Sequence, residues 1–376
     1  MTPQFTILLP ITRPPIFLPH GIETVLAQTV AEFELFVICD GAPRETVVCA
    51  ESFARRDPRV KVRAFAKDPL HGESLRDLVL REASGRFVAY LEDDDLWFPD
   101  HLEELGKTLE SADFGHTIHV TVSPLGSVEA LPSDLRIAEF RQLFLDDLFN
   151  RFGLTVCGHR MDAYRKLSEG WAPTPFGIWP DLHMWRKFFS VQEFRFDTRM
   201  KITAVTLPNW IRQNMTPEEL TAESRSWLLR VSDPEKRATI VEAAWRSTVD
   251  KEIKQELDFQ KTRAELRAAE FELAYLREAH LAEQHGHSIQ TLIDTQSELA
   301  RISTAYAVIQ GTLAHWTKRW EAERIKMDLD METLQRQHDC LVQSRSWRLT
   351  RPFRALGKVG RQLESFRRKY ARKPAG

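Results

Sequence analysis

Along the first 220 residues, short apolar runs return at regular intervals with amphipathic stretches between them. FTILL (5 to 9), LFVIC (35 to 39), VKVRAF (60 to 65) and FVAYL (87 to 91) have strand length and are rich in β-branched and aromatic residues. Between and after them, apolar positions fall at helical spacing near 20 to 29, 44 to 56, 73 to 84 and 99 to 110. Strand and helix alternating in this way predict an α/β domain with a mostly parallel sheet flanked by helices on both faces. Ligands of such sheets lie beyond the carboxyl ends of the strands, so the polar residues right after LFVIC and FVAYL are the first candidates for chemistry.

The pattern changes after residue 220. No proline falls between Pro234 and Pro352, and Ala, Glu, Gln, Leu and Arg dominate, which predicts long helix. Alternating steps of three and four from Leu299 pick out Leu299, Ile302, Tyr306, Ile309, Leu313, Trp316, Trp320, Glu323, Met327, Asp330, Leu334, Gln337 and Leu341. Ten of these thirteen are apolar, the signature of a coiled-coil seam. A weaker seam precedes it (Leu266, Ala269, Leu273, Leu276), and EQHGHS around Gly286 marks a break or stutter between the two. The predicted division is a domain over 1–220, a helical linker over 221–250, a coiled coil over 251–343 and a tail over 344–376. The seam predicts a homo-oligomer, with an antiparallel hairpin as the other arrangement.

Charge changes this picture only at the end of the chain. Across 376 residues, 52 Lys and Arg nearly cancel 54 Asp and Glu, so the whole chain advertises no nucleic-acid partner. Residues 345 to 376, however, hold eleven Lys or Arg and one acid, Glu364, interleaved at helical spacing with Trp347, Phe353 and Phe366. That predicts a basic amphipathic helix lying on an anionic membrane surface. Cys39, Cys49, Cys157 and Cys340 have no metal-ligand or disulfide-framework spacing and are expected to be reduced thiols. FTILLPI lacks a basic leader and is interrupted by Pro10, and no stretch reaches the roughly eighteen apolar residues of a membrane span. A cytoplasmic protein, peripheral at the inner membrane, is expected.

Two acidic clusters end two predicted strands: Asp40 in ICDGA, and Glu92, Asp93, Asp94 and Asp95 in YLEDDDLWFPDHL. Four consecutive acids repel one another unless a cation shares their charge, and hard oxygen donors suit Mn2+ or Mg2+. Such an ion takes one or two protein carboxylates and leaves other positions to water and diphosphate, so one acid should be the direct ligand. Asp95 or Asp100 is expected to cap the helix that starts near Pro99.

FELFVICDGAPRET followed by GRFVAYLEDDDLWFPDHL resembles the family-2 inverting glycosyltransferases of GT-A fold. Those enzymes have a strand ending in Asp-Gly or Asp-Asn and, about fifty residues later, an acidic motif followed by Pro. The resemblance implies a nucleotide-sugar donor bound by Thr12 of the first loop, by Asp40 at the uracil or thymine edge, by Asp93 at the ribose, and by Arg76 and Arg212. It implies metal ligation by Asp94 and makes Asp181, in FGIWPDLHMWRKF, the general base. Trp179, with Trp185 and Phe176 as a possible platform, and His159 and His183 would touch the acceptor, a glycan or lipid-linked sugar of bacterial surface polysaccharide synthesis. The sequence departs from the family in Ala42 where serine is usual, in the Ile11-Thr12-Arg13-Pro14-Pro15 loop, and in Pro180 before the base. No QxxRW motif is present, which favours distributive transfer. SRSWRLTRPFR (344 to 354) is similar to a segment that follows coiled coils in related bacterial enzymes.

A scaffold with an inactive domain is the rival reading, but it has no need of Asp40, Asp94 and Asp181 together. Nucleotidyl transfer would want a glycine-rich loop after the first strand, and PITRPPIF has none.

Overall fold

The computed structural model of the chain describes residues 3–284 and 294–304. The strands are β1 (Phe5–Ile11), β2 (Phe33–Asp40), β3 (Val60–Phe65), β4 (Phe87–Tyr90), β5 (Leu96–Trp97), β6 (Phe114–Val122), β7 (Val128–Ala130), β8 (Cys157–Arg160) and β9 (Phe196–Thr206). The helices are α1 (Leu18–Leu26), α2 (Arg44–Ala54), α3 (Glu73–Glu82), α4 (His101–Leu109), α5 (Ala138–Asp146), α6 (Met161–Tyr164), α7 (Pro180–Phe189), α8 (Pro217–Ser232) and α9 (Pro234–Gln284). All four strands expected from the apolar runs are present, each followed by a helix where helical spacing predicts one.

One sheet runs in the order β3-β2-β1-β4-β8-β6-β9-β5, with β7 beside β6. Its first half is parallel: β1 pairs with β2 and β4, and β2 with β3. All eight residues of β2 are buried, which is why FELFVICD carries no apolar-polar alternation. The second half departs from the expected mostly parallel arrangement. β8 is antiparallel to both β4 and β6, β5 to β9 and β7 to β6, and only β6 with β9 is parallel. The sheet is therefore mixed, because β8 enters against the direction of β4 straight from the one-turn helix Leu154–Val156.

Two apolar cores flank the sheet. The larger packs β1, β2 and β4 against helices on either side and takes in Trp97, Phe114, Phe144, Trp185 and Phe188. The smaller joins Phe98, Ile118, Val120, Ile202 and Val205 to Trp227 and Val231 of α8 and to Ile240 and Ala244 of α9. The stretch 221–250, expected as a linker, is thus helical and built into the domain. α8 starts with a reciprocal cap between Thr216 and Glu219, and Thr248 Oγ1 donates to Ala130 O at 2.9 Å. The compact unit ends at Lys261 and a second begins at Thr262. In that second unit Leu266 and Ala269 are exposed and Leu273 and Leu276 half-buried. The seam from Tyr306 to Leu341, the break at Gly286, Cys340 and the basic tail lie outside the described residues. No helix among the described residues is long and apolar enough to cross a membrane.

Candidate functional site

β1, β2 and β4 end side by side, and beyond their carboxyl ends lies a cavity of about 300 Å3 lined in part by Thr12, Arg13, Asp40, His71, Arg76, Glu92, Asp93 and Asp94. Four loops converge there because the parallel register brings Ile11 level with Cys39 and Leu8 level with Tyr90. Five residues expected at a donor site, Thr12, Asp40, Arg76, Asp93 and Asp94, line this one cavity.

Asp40 closes β2 and is buried. The Asp68 N–H donates to its Oδ1 at 2.6 Å and Lys67 Nζ to its Oδ2 at 2.6 Å. Lys67 also reaches the carbonyls of Asp68 and Leu70, so the segment after β3 is folded onto Asp40. Two glycines make this closeness possible. Gly41 has φ 60° and its missing Cβ would lie 2.5 Å from Lys67 Cβ, while Gly72 has φ 75° and sits 3.0 Å from Asp40 Oδ2 by the same measure. Gly72 precedes α3, which carries Arg76 one turn on.

Arg76 is buried, with its guanidinium 5.0 Å above the Trp171 ring and Nη1 donating to His71 O at 2.9 Å. Its Nε has no partner. Burial lowers its pKa from the usual arginine value, and Glu73, Tyr90, Glu92 and Asp181 oppose that shift.

The acids after β4 divide by environment. Arg13 grips Asp93 with Nε to Oδ2 at 2.6 Å and Nη2 to Oδ1 at 3.0 Å, and its Nη2 also lies 3.0 Å from Asp94 Oδ2. Burial pushes the Asp93 carboxyl up to about 6 against the pull of Arg13. Burial, then the charges of Asp94, Asp181 and Asp93, push Glu92 up to about 8. Asp95 is spent on structure: it accepts from Thr155 Oγ1 and from the Leu207 N–H, at 3.1 Å in the latter case. It does not cap α4. Nor does Asp100, which makes no side-chain cap and instead pairs with Lys201 at 2.6 Å.

Carboxylate oxygens of Glu92, Asp94 and Asp95 lie within 4.8 Å of one another. With Asp95 committed, Glu92 and Asp94 remain as hard donors. This donor set fits a divalent cation of the magnesium or manganese type.

Asp181 is the second residue of α7. Asn150 Nδ2 donates to its Oδ2 at 2.6 Å and the Leu182 N–H to its Oδ1 at 2.8 Å. Burial raises its pKa, and it interacts electrostatically with Arg76 and Glu92, two residues of the cavity wall.

Other expected contacts lie elsewhere. Arg212 is fully buried outside the cavity, with Nε and Nη2 on Glu223 at 2.7 and 2.9 Å, Nη1 on Pro208 O and Nη2 on Val122 O. Each of its three guanidinium nitrogens has an acceptor, so it is a structural arginine in this arrangement. His159 is a core residue of β8, Nε2 2.7 Å from the Tyr90 hydroxyl, and burial lowers it to about 4. Trp185 is wholly buried in the larger core and Phe176 is 77% exposed, so they do not form one platform. Trp179 and His183 flank Asp181 and are half-buried.

The sequence gives no role to Arg13, Lys67 or His71, and places Glu92 only within the acidic cluster that a cation would share. Arg13 carried a signal, since a cation directly after β1 faces the acids directly after β4 once those strands pair. For Lys67 the sequence holds no such cue.

The profile described as Glycosyl transferase family 2 matches residues 6–168, so this stretch is similar to that family. An uncharacterized glycosyltransferase of Rickettsia bellii is 31% identical over 125 residues, covering 33% of this chain and 18% of that protein. The uncharacterized glycosyltransferase EpsJ of Bacillus subtilis is 30% identical over 95 residues, covering 25% of this chain and 27% of that one. The chain thus spans about a fifth to a quarter of the length of these relatives. The crystal structure of S. aureus TarS 1-349 overlaps with a TM-score of 0.43 at 16% identity, over 59% of this chain and 65% of that one.

Proposed function

We propose that residues 1–261 form a metal-assisted, inverting glycosyltransferase that moves a sugar from a UDP- or dTDP-sugar to a hydroxyl of a glycan or lipid-linked acceptor in surface polysaccharide synthesis. The observation that carries this reading is the single cavity lined jointly by Asp40, Arg76, Asp93 and Asp94, at the strand ends where an α/β sheet binds its ligand. In this reading Asp40 receives the N–H edge of the base and Asp93 the ribose. Arg76, with an Nε left unpaired, meets the diphosphate. A divalent cation held by Asp94 and Glu92 would stabilise the negative charge of the departing diphosphate.

Asp181 takes the proton of the acceptor hydroxyl as its oxygen attacks the anomeric carbon and the bond from that carbon to the diphosphate oxygen breaks. Two hydrogen bonds orient the carboxylate, and burial makes it a better proton acceptor than a solvated aspartate. The coiled coil joins copies of the chain, and the basic tail brings the domain to anionic lipid.

The test is Asp181→Asn, assayed by product formation and by titration with UDP and dTDP in the presence of Mn2+. Turnover should fall about 100-fold or more, with nucleotide affinity within a factor of about two of the parent. Turnover within tenfold of the parent would remove Asp181 from the role of base.

A further inference from the structure

Arg13 has a fixed backbone and a committed side chain. Its carbonyl accepts from Thr46 Oγ1 at 2.8 Å, and Pro14 and Pro15 follow it directly, so the side chain leaves β1 in a set direction. The guanidinium fork matches Asp93 with two hydrogen bonds and reaches Asp94 with the same Nη2. Both aspartate side chains are nearly buried, at 13% and 12% exposure, while Arg13 keeps 29% and borders the cavity.

One guanidinium therefore covers two carboxylates that the proposed function assigns to ribose and to the metal. A divalent cation at Asp94 and the guanidinium draw on the same carboxylate, and two cations do not share it without repulsion. A cation that enters alone takes Asp94 from Arg13, which keeps Asp93 alone, and two positive charges then face each other in a sheltered cavity. A cation that enters with a nucleoside diphosphate brings phosphate oxygens that can accept both N–H groups of the planar arginine fork.

We propose that Arg13 is an exchangeable counter-ion: it holds Asp93 and Asp94 while the cavity is empty and turns to the diphosphate when a divalent cation takes Asp94. Cation and nucleoside diphosphate then bind cooperatively, each raising the affinity of the other by the same factor. This inference rests on the proposed function and adds to it the coupling of the two ligands.

The experiment titrates Mn2+ alone, followed by the electron paramagnetic resonance of the free ion, then UDP alone, then Mn2+ at saturating UDP. It compares the parent chain with R13Q, R13K and D94N. The parent should bind Mn2+ at least ~10-fold more tightly with UDP than without. R13Q should bind Mn2+ alone ~10-fold more tightly than the parent and lose most of the enhancement by UDP. R13K keeps the charge but cannot grip both carboxylates, so it should shift the same way by a smaller factor, and it carries the test if R13Q does not fold. Unchanged or weaker binding of Mn2+ alone in the folded Arg13 variants would overturn the exchange. If D94N binds Mn2+ with UDP as well as the parent does, the metal assignment itself fails, whatever Arg13 does.

Discussion

The half of the sheet made by β1 to β4 and the half made by β5 to β9 bury polar groups to opposite ends. Around β6 and β9 the polar side chains are matched to one another. Thr203 Oγ1 donates to Thr117, His101 Nδ1 meets Thr203 at 2.8 Å, His116 Nε2 lies 3.0 Å from Thr198, and every nitrogen of Arg212 has an acceptor. His101 Nε2 and Trp185 Nε1 are the exceptions among the described residues here; burial lowers the His101 ring to about 3, so it stays neutral and stacks on Trp97. At the ends of β1, β2 and β4 the groups are held in place but not satisfied: Arg76 keeps an unpaired Nε, and Glu92 is pushed up to about 8 by burial and neighbouring charge. Buried polarity that is paired internally supports the fold, whereas buried polarity with spare capacity is a place prepared for something else to complete.

The two buried arginines give the sharpest way to break this contrast. Arg212→Met strands the Glu223 carboxylate and should lower unfolding stability by about 3–5 kcal/mol in urea titrations, with nucleotide affinity unchanged in the folded protein. Arg76→Met removes a desolvated charge with a single carbonyl acceptor and should cost less than about 1 kcal/mol, yet weaken UDP binding at least ~10-fold. A stability loss at Arg76 as large as that at Arg212 would erase the distinction.

A second substitution tests how far the supporting half extends. Trp227 of α8 is 4% exposed in the smaller core. Trp227→Ala should cost about 3 kcal/mol, read from the midpoint of denaturant unfolding. A change below about 1 kcal/mol would return α8 to the status of a detachable linker.

The smallest expected effect concerns pH. Glu92 has a folded value of about 8 against an ordinary 4.5, so the folded chain holds its proton where the unfolded chain has lost it. Its contribution to stability is complete below pH 4.5 and is lost as the pH rises through about 8. Because the side chain is half-buried and borders a water-accessible cavity, the metal-free protein should lose only about 1–2 kcal/mol between pH 6 and 8. Glu92→Gln should flatten that slope, as should saturating Mn2+. A slope unchanged by Glu92→Gln would assign it to another group.

Much of the cavity half was legible in the sequence because β2 and β4 are buried on both faces and lead into acids. LFVIC and FVAYL read as strands without help from their partners, and Asp40 and the acids from Glu92 to Asp95 stand right after those runs. The other half was not legible for the reason that makes it stable. β6 reads FGHTIHVTV and β9 FDTRMKITAVT, so their apolar patterns are interrupted by His116, His119 and Thr203, and His116 and Thr203 find partners on other elements. Partnership also decided what was missed at the site. Arg13 and Asp93 are 80 residues apart and Lys67 and Asp40 are 27 apart, and a residue's type does not announce which distant carboxylate it will meet. Arg212 fails in the other direction: an arginine near a diphosphate and an arginine locked to Glu223 look the same in a sequence.

β9 has one more consequence, for inheritance. The two-residue strand β5, which follows the acidic motif at once, pairs with β9 at Val205 and Ala204, and the first residue past β9, Leu207, supplies the N–H that holds Asp95. The stretch that matches the Glycosyl transferase family 2 profile, 6–168, stops before β9 begins. A recombination that moved only that stretch into another chain would carry the acids but leave behind the strand that clamps their far side. The smallest segment that can travel with its motif intact therefore includes β9, and the packing of α8 and the start of α9 extends that heritable piece to about Lys261.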